Sequence, residues 1–147
     1  MIKQINGLLG RFSYVSPLVL RIVVGIIMTA HGCDKLWSCF HPGQAGYAVT
    51  VSQFAALGIE PANIAAAMAG GGEFLGGLLV LMGLFTRIGA LLVAGTMVVA
   101  IATVHLKGGL FAADGGFEYP LTLLAAAISL MVTGGGSILS IDSQMDA

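Results

Sequence analysis

Ionisable side chains sit inside the apolar stretches of this chain: Arg21, His31, Asp34 and Lys35 in the first, Glu73 in the second. Such a group in hydrocarbon is costly unless paired or wetted, so each marks a candidate functional position whose partner must be found. The stretches themselves are membranous in composition. The 147 residues are 57% hydrophobic and only 9% charged, against about a quarter charged in soluble domains, which makes this an integral membrane protein whose first partner is the lipid bilayer. A net charge of −1 supplies no basic footprint, and nucleic acid is excluded as a partner.

Four segments are apolar enough to span a hydrocarbon core, a task for roughly 20 helical residues. They lie near residues 17–37, 62–85, 88–106 and 117–133. The expectation is one all-α domain, residues 1–147, built as a four-transmembrane-helix bundle. A cleaved signal is disfavoured because Arg21 interrupts the first run, which exceeds an h-region of about 7 to 15 residues. Only Thr86 and Arg87 separate the second and third spans, so these must be antiparallel neighbours. Lys3, Arg11 and Arg87, with Arg21 leaning the same way, oppose Lys35 and Lys107; the positive-inside rule then puts both termini in the cytoplasm. The loops 38–61 and 107–116 fall outside. Within the first, Tyr47, Val51, Phe54 and Ala55 are spaced for a short interfacial helix.

Helices in lipid associate through close backbone approach at small residues. Gly72 and Gly76 stand four apart in the second span, with Ala69 and Gly83 extending the stripe; Gly95 and the run 125–127 suit the same tight bundle. In this topology His31, Asp34 and Lys35 lie on one face of the outer half of the first span. Glu73 falls about 11 residues into the second, roughly 16 Å deep. His105 ends the third span, and Glu118 and Tyr119 open the fourth. Glu73 is too deep to snorkel, so it is either protonated or paired with Lys35, His31 or His105. Arg21, nearer the inner boundary, reads as a snorkelling anchor.

Residues 21–36, RIVVGIIMTAHGCDKL, resemble the R...G.....HG..K signature of the DoxX family. Residues 73–87, EFLGGLLVLMGLFTR, resemble its E..GG.....G..TR stretch, and residues 115–120, GGFEYP, its GG.E.P turn. The match of residues 54–61, FAALGIEP, to F..LG.P is looser by one residue, and SID at 140–142 is similar to a frequent SLD ending. The resemblance implies a four-helix protein of a bacterial or archaeal inner membrane, with importance falling on Arg21, His31, Lys35, Glu73, Arg87 and Glu118. It also implies association with quinol or quinone oxidoreductases, although members differ in activity. Cys33 and Cys39 are outside the motif.

Three chemistries suit the outer cluster. In the first, a redox-associated membrane subunit binds a quinone or another small hydrophobic substrate. Glu73 and His31 then act as proton acceptor and hydrogen-bond partner, and Arg21, Lys35, Asp34, His105, Glu118 and Tyr119 surround the substrate. The chain has no CxxCH or iron–sulfur cysteine set, so electrons would need a partner oxidoreductase subunit. In the second, His31, His105, Glu73 and Glu118 handle a metal, although no ligand-spacing motif is present. In the third, Cys33 and Cys39 form a structural disulfide, remain free thiols, or exchange as redox thiols. A bond requires the helix to end before Cys39, since six helical residues would separate the Cα atoms by about 9 Å. A different class is a non-enzymatic adaptor or assembly protein using the same polar cluster.

Overall fold

In the computed structural model, residues 2–10 and 12–145 are described; Arg11, part of the charge count above, lies outside the described residues. The main elements are α1 (Ile2–Gly10), α2 (Ser16–Trp37), α3 (Tyr47–Ala56), α4 (Ala62–Met82), α5 (Thr86–Ala100), α6 (Glu118–Thr133) and α7 (Asp142–Met145). All are helical, as the apolar periodicity demands. A π turn, Ile101–His105, and a 3-10 turn, Leu106–Gly108, continue α5. The short helix expected after residue 46 is present as α3.

Three rods are long and apolar enough to cross a membrane: Ser13–Trp37, Ala62–Met82 and Thr86–Gly108. The fourth expected span is shorter. Helix α6 has 16 residues, about 24 Å at 1.5 Å per residue, under the roughly 30 Å of a hydrocarbon core. Glycine stops it at Gly134, whose φ of +72° is a left-handed value that glycine adopts freely. At its start, the Phe117 and Glu118 N–H groups donate to Gly109 and Leu110 carbonyls at 3.0 and 2.9 Å, tying the loop before it to the helix.

The four rods pack in a ring, α2 on α4, α4 on α5, α5 on α6, and α6 back on α2. Val24, Met28, Val80, Val93, Met97, Leu123 and Leu130 fill the space between them. Glycine decides how closely the rods approach, and it acts on two faces of α4. Toward α2, a Cβ on Gly70 would come within 2.7 Å of Leu36, one on Gly25 within 2.6 Å of Leu81, and Cβ atoms on Gly32 and Gly77 would strike the backbones of Phe74 and Thr29. Toward α5, a Cβ on Gly76 would meet the Gly89 carbonyl at 3.0 Å and one on Gly72 would meet Thr96 at 2.9 Å. Two expectations change. Gly95 faces open space and packs on nothing, and Gly83 ends α4 at φ +65° rather than extending its stripe. Of the run 125–127, only Ala127 is fully buried.

At one end of the bundle, where α2 and α5 begin and α4 and α6 finish, Arg21 forms a clasp. It is 1% exposed. Its Nε donates to the Val80 carbonyl at 3.1 Å, Nη1 to Gly135 and Ile138 at 2.9 and 3.1 Å, and Nη2 to Leu81 and Leu139 at 3.2 and 2.7 Å. All five guanidinium N–H groups are spent. The snorkelling reading of Arg21 is therefore corrected: the tail folds back over the side chain and supplies carbonyls in place of water. Beside it, the Asp142 carboxylate accepts from Phe85 and Thr86 N–H at 2.6 and 2.9 Å, and the Asp142 N–H donates to Gly83. This caps the start of α5 with a negative charge, the favourable sign for a helix N-terminus.

Two outcomes follow from this packing. Gly77→Leu forces overpacking against Thr29, at a cost of about 1–3 kcal/mol, and lowers the melting midpoint in detergent, whereas Gly95→Leu leaves it unchanged; equal midpoints would contradict the close α2–α4 approach. Partial burial pushes the Asp142 carboxyl up, but hydrogen bonds from Thr86 and Phe85 and the field of Arg21 outweigh it and hold the group below its ordinary value. A depressed folded value stabilises above the unfolded pKa of about 3.9 and is lost as pH falls through the folded one. Asp142→Asn should therefore lower the midpoint at neutral pH and flatten its decline below about pH 4, measured by thermal unfolding across pH.

Candidate functional site

At the opposite end, α2 stops because Ser38 turns left-handed, φ 57°, while its N–H still bonds the Asp34 carbonyl. The chain then doubles back. Cys39 is joined to Cys33 by a disulfide, with Cα atoms 5.7 Å apart, which meets the condition that the helix end before Cys39. Asp34 Oδ1 accepts the Phe40 and His41 N–H groups at 3.0 and 3.1 Å, and its Oδ2 lies 2.6 Å from His41 Nδ1. Helix α3 then returns across this end. Thr50 Oγ1 donates to the Lys35 carbonyl at 3.0 Å, and Tyr47 Oη donates to the Asn63 carbonyl at 2.8 Å.

These contacts enclose an open cleft of about 260 Å³. Its walls are His31, Asp34 and Lys35 from α2, Thr50 and Gln53 from α3, and His41, Gln44 and Ala45 from the segment between. Lys35 connects the cleft to the interior. Its Nζ binds both carboxylate oxygens of Glu73, and the side chains are 32% and 4% exposed respectively. The pairing reading of Glu73 thus holds, with Lys35 as the cation. One turn before Lys35, the His31 ring lies 6.3 Å from that of Tyr119 of α6, tilted by 46°. Three helices therefore contribute to one neighbourhood: α2 through His31 and Lys35, α4 through Glu73, and α6 through Tyr119.

Other expected members stand elsewhere or have other duties. Arg21 is 14 residues from Lys35 along α2, about 21 Å away at 1.5 Å per residue, and belongs to the clasp. His105 Nδ1 is 2.9 Å from the Gly115 carbonyl, and Glu118 Oε1 accepts the Ala112 N–H at 2.6 Å. Both stitch the loop before α6 and neither lines the cleft. Asp34 lines it, but its oxygens are committed to residues 40 and 41. Among the described residues, no group of three or more His, Cys, Asp or Glu side chains is placed to hold a metal ion, so the His31, His105, Glu73 and Glu118 set is not assembled. Sequence reasoning missed His41, Gln44, Thr50 and Gln53. His41 follows a cysteine by two residues and precedes Pro42 and Gly43, a turn signal that could have marked a fold-back; no local pattern points to the others.

The DoxX family model matches residues 16–106. A Bacillus subtilis protein named "Putative oxidoreductase CatD" is 36% identical over 122 residues, 82% of this chain and 80% of the relative. An uncharacterized Haemophilus influenzae protein is 30% identical, covering 91% of this chain and 85% of the relative. An uncharacterized membrane protein of Mycobacterium tuberculosis is also 30% identical, covering 82% and 76%. No solved structure matches the chain.

The ion pair can be separated from its surroundings by mutation. Removing Lys35 leaves the buried Glu73 charge uncompensated, at about 3–5 kcal/mol, and removing Glu73 leaves the half-buried Lys35 at a smaller cost. Lys35→Met and Glu73→Leu singly should each lower stability, and the double substitution should recover much of that loss. Additive losses in a double-mutant cycle in detergent would show that the two groups do not interact.

Proposed function

On the premise that the chain belongs to the DoxX family, we propose that it is a redox-associated membrane protein that binds a quinone head group, or a similar small apolar carbonyl compound, in the Lys35 cleft. The carrying observation is the count of donors on Lys35. An ammonium has three N–H groups; two face the Glu73 carboxylate, and the third, without an acceptor among the described residues, is left for a ligand in the cleft that Lys35 lines. The name of the Bacillus subtilis relative supports redox work.

The donors fit such a group. A quinone presents two carbonyl oxygens on one ring, and Lys35 and His31 are donors one helical turn apart on the same wall. About 260 Å³ is below the usual drug-site range of roughly 300–1,000 Å³, a size for one ring with its tail left along the lipid. Quinones supply two-electron, two-proton chemistry when bound. Lys35 would stabilise charge developing on one oxygen. The Lys35 ammonium, bound by the Glu73 carboxylate, would give a proton to that oxygen as the electrons arrive. His31 would hydrogen-bond the other oxygen, with Tyr119 limiting the ring's rotation. Electrons would come from a partner oxidoreductase subunit, because the chain has no haem or iron–sulfur motif.

Orientation follows the same reading. Disulfides persist in oxidising compartments, so the Cys33–Cys39 bond supports a reading with the cleft end outside and the clasp end in the cytoplasm. Lys3 and Arg87 on the clasp side agree with the positive-inside rule. This suits a bacterial inner membrane with both termini inside.

Binding of a fully substituted short-chain benzoquinone to protein in lipid nanodiscs tests the reading. Lys35→Met and His31→Ala should each weaken it about tenfold, equivalent to about 1.4 kcal/mol, while Arg87→Gln has no effect. Equal affinity in all four proteins would remove the cleft as the quinone site.

A further inference from the structure

Three of the eight residues lining the cleft come from a segment with few anchors. His41, Gln44 and Ala45 line it, and they belong to the stretch between the end of α2 and the start of α3. Two tethers bind that stretch to α2. One is covalent, Cys33–Cys39; the other is Asp34, which holds the N–H groups of Phe40 and His41 and the His41 ring. Ser38 N–H also closes the end of α2 on the Asp34 carbonyl, and the remaining bonds, Ser38 Oγ donating to Ala45 and Gln44 N–H donating to His41, are internal to the stretch and give it shape without fixing its position. Cys39 is exposed and Cys33 half-buried, so one sulfur is open to attack and the other is sheltered.

We propose that Cys33–Cys39 is an exchange site for external dithiols, and that its reduction dismantles the loop wall of the cleft. The consequence for ligand affinity rests on the quinone reading; the consequence for the loop does not. A thiolate of the dithiol attacks Cys39 Sγ, the S–S bond breaks, and Cys33 leaves as a thiolate and takes up a proton. The second thiolate of the reagent then attacks its own sulfur in the mixed disulfide, and Cys39 leaves and is protonated. The dithiol loses two electrons to become a disulfide, and the protein pair gains them. After reduction only Asp34 holds the segment to the helix. Loss of a cross-link widens the range of conformations open to a loop, and here that loop is one wall of the site. The redox state of the compartment would thereby set access to the cleft.

The test uses the full chain in nanodiscs with dithiothreitol as the probe. Maleimide labelling followed by mass measurement reports reduction, and amide hydrogen exchange over residues 38–45 reports the wall. Exchange at Phe40, His41 and Gln44 should rise at least about fivefold on reduction, reflecting local opening, and equally in Cys33→Ser/Cys39→Ser without reductant. The same double variant, free of thiols that would attack the ring, should bind a fully substituted short-chain benzoquinone about fivefold more weakly than the oxidised protein, the cost of a partly formed site. Full labelling with unchanged exchange overturns the inference, as does a disulfide that resists the reagent in the folded protein. Increased exchange with no quinone bound in any form upholds the loop inference and removes the quinone reading.

Discussion

A charge inside hydrocarbon must be satisfied by the protein around it, and the two ends of this bundle answer that demand in opposite ways. At the clasp end, Arg21 takes five backbone carbonyls from the end of α4 and the tail after α6. Those carbonyls are available because a helix leaves its last four unpaired and because the glycine-rich turn at 134–136 exposes more. The charge is thus the reason the tail folds back. At the cleft end, Lys35 and Glu73 satisfy each other across two helices, and the neighbouring backbone is free to form a loop and a lid helix.

The meeting of Lys35 and Glu73 depends on packing as much as on charge. Gly32 and Gly70 lie one turn to either side of the pair, and at both positions a Cβ would collide with the facing helix. Without those glycines α2 and α4 would stand further apart, and a short carboxylate such as Glu73 would lose its reach to the ammonium. Close approach is therefore a condition of the site. This also explains why α4 is glycine-rich on two faces although only one carries the pair: its second face must admit α5 as closely, so that α5 can in turn hold α6, which bears Tyr119.

Much of this was legible in the residues. Long apolar runs, the two-residue connection at Thr86–Arg87 and the spacing of Gly72 and Gly76 imply the antiparallel bundle, and the depth of Glu73 leaves two alternatives, protonation or pairing, of which Lys35 supplies the second. The rest was not, for identifiable reasons. Arg21 reads as a boundary residue because linear position cannot reveal that a segment over a hundred residues later will cover it. His105 and Glu118 sit at span ends like the members of the cleft, yet bond the backbone of their own loop; helical position gives depth but not direction around the axis. The cleft's other wall comes from α3 and a short loop, where periodicity carries little information about which side faces a neighbour.

The two cations of α2, Arg21 fully buried and Lys35 half-buried, differ in how much of their donor capacity the fold consumes. Arg21 spends every N–H it has, so nothing remains to engage a substrate, and its planar fork suits a fixed set of carbonyls. Lys35 spends two of three and keeps a flexible stem, so its third donor can turn toward the cleft without breaking the pair. Glu73 has the matching property. Its negative charge is offset by a group that can itself give up a proton, so a proton can pass within the pair without leaving an isolated charge in hydrocarbon. An arginine at position 35 would bind Glu73 more rigidly and could not deprotonate, and so could stabilise the bundle yet pass no proton. The choice of lysine there, with an arginine used as a clasp at the other end of the same helix, is what separates the end that holds the fold from the end that keeps a donor facing the cleft.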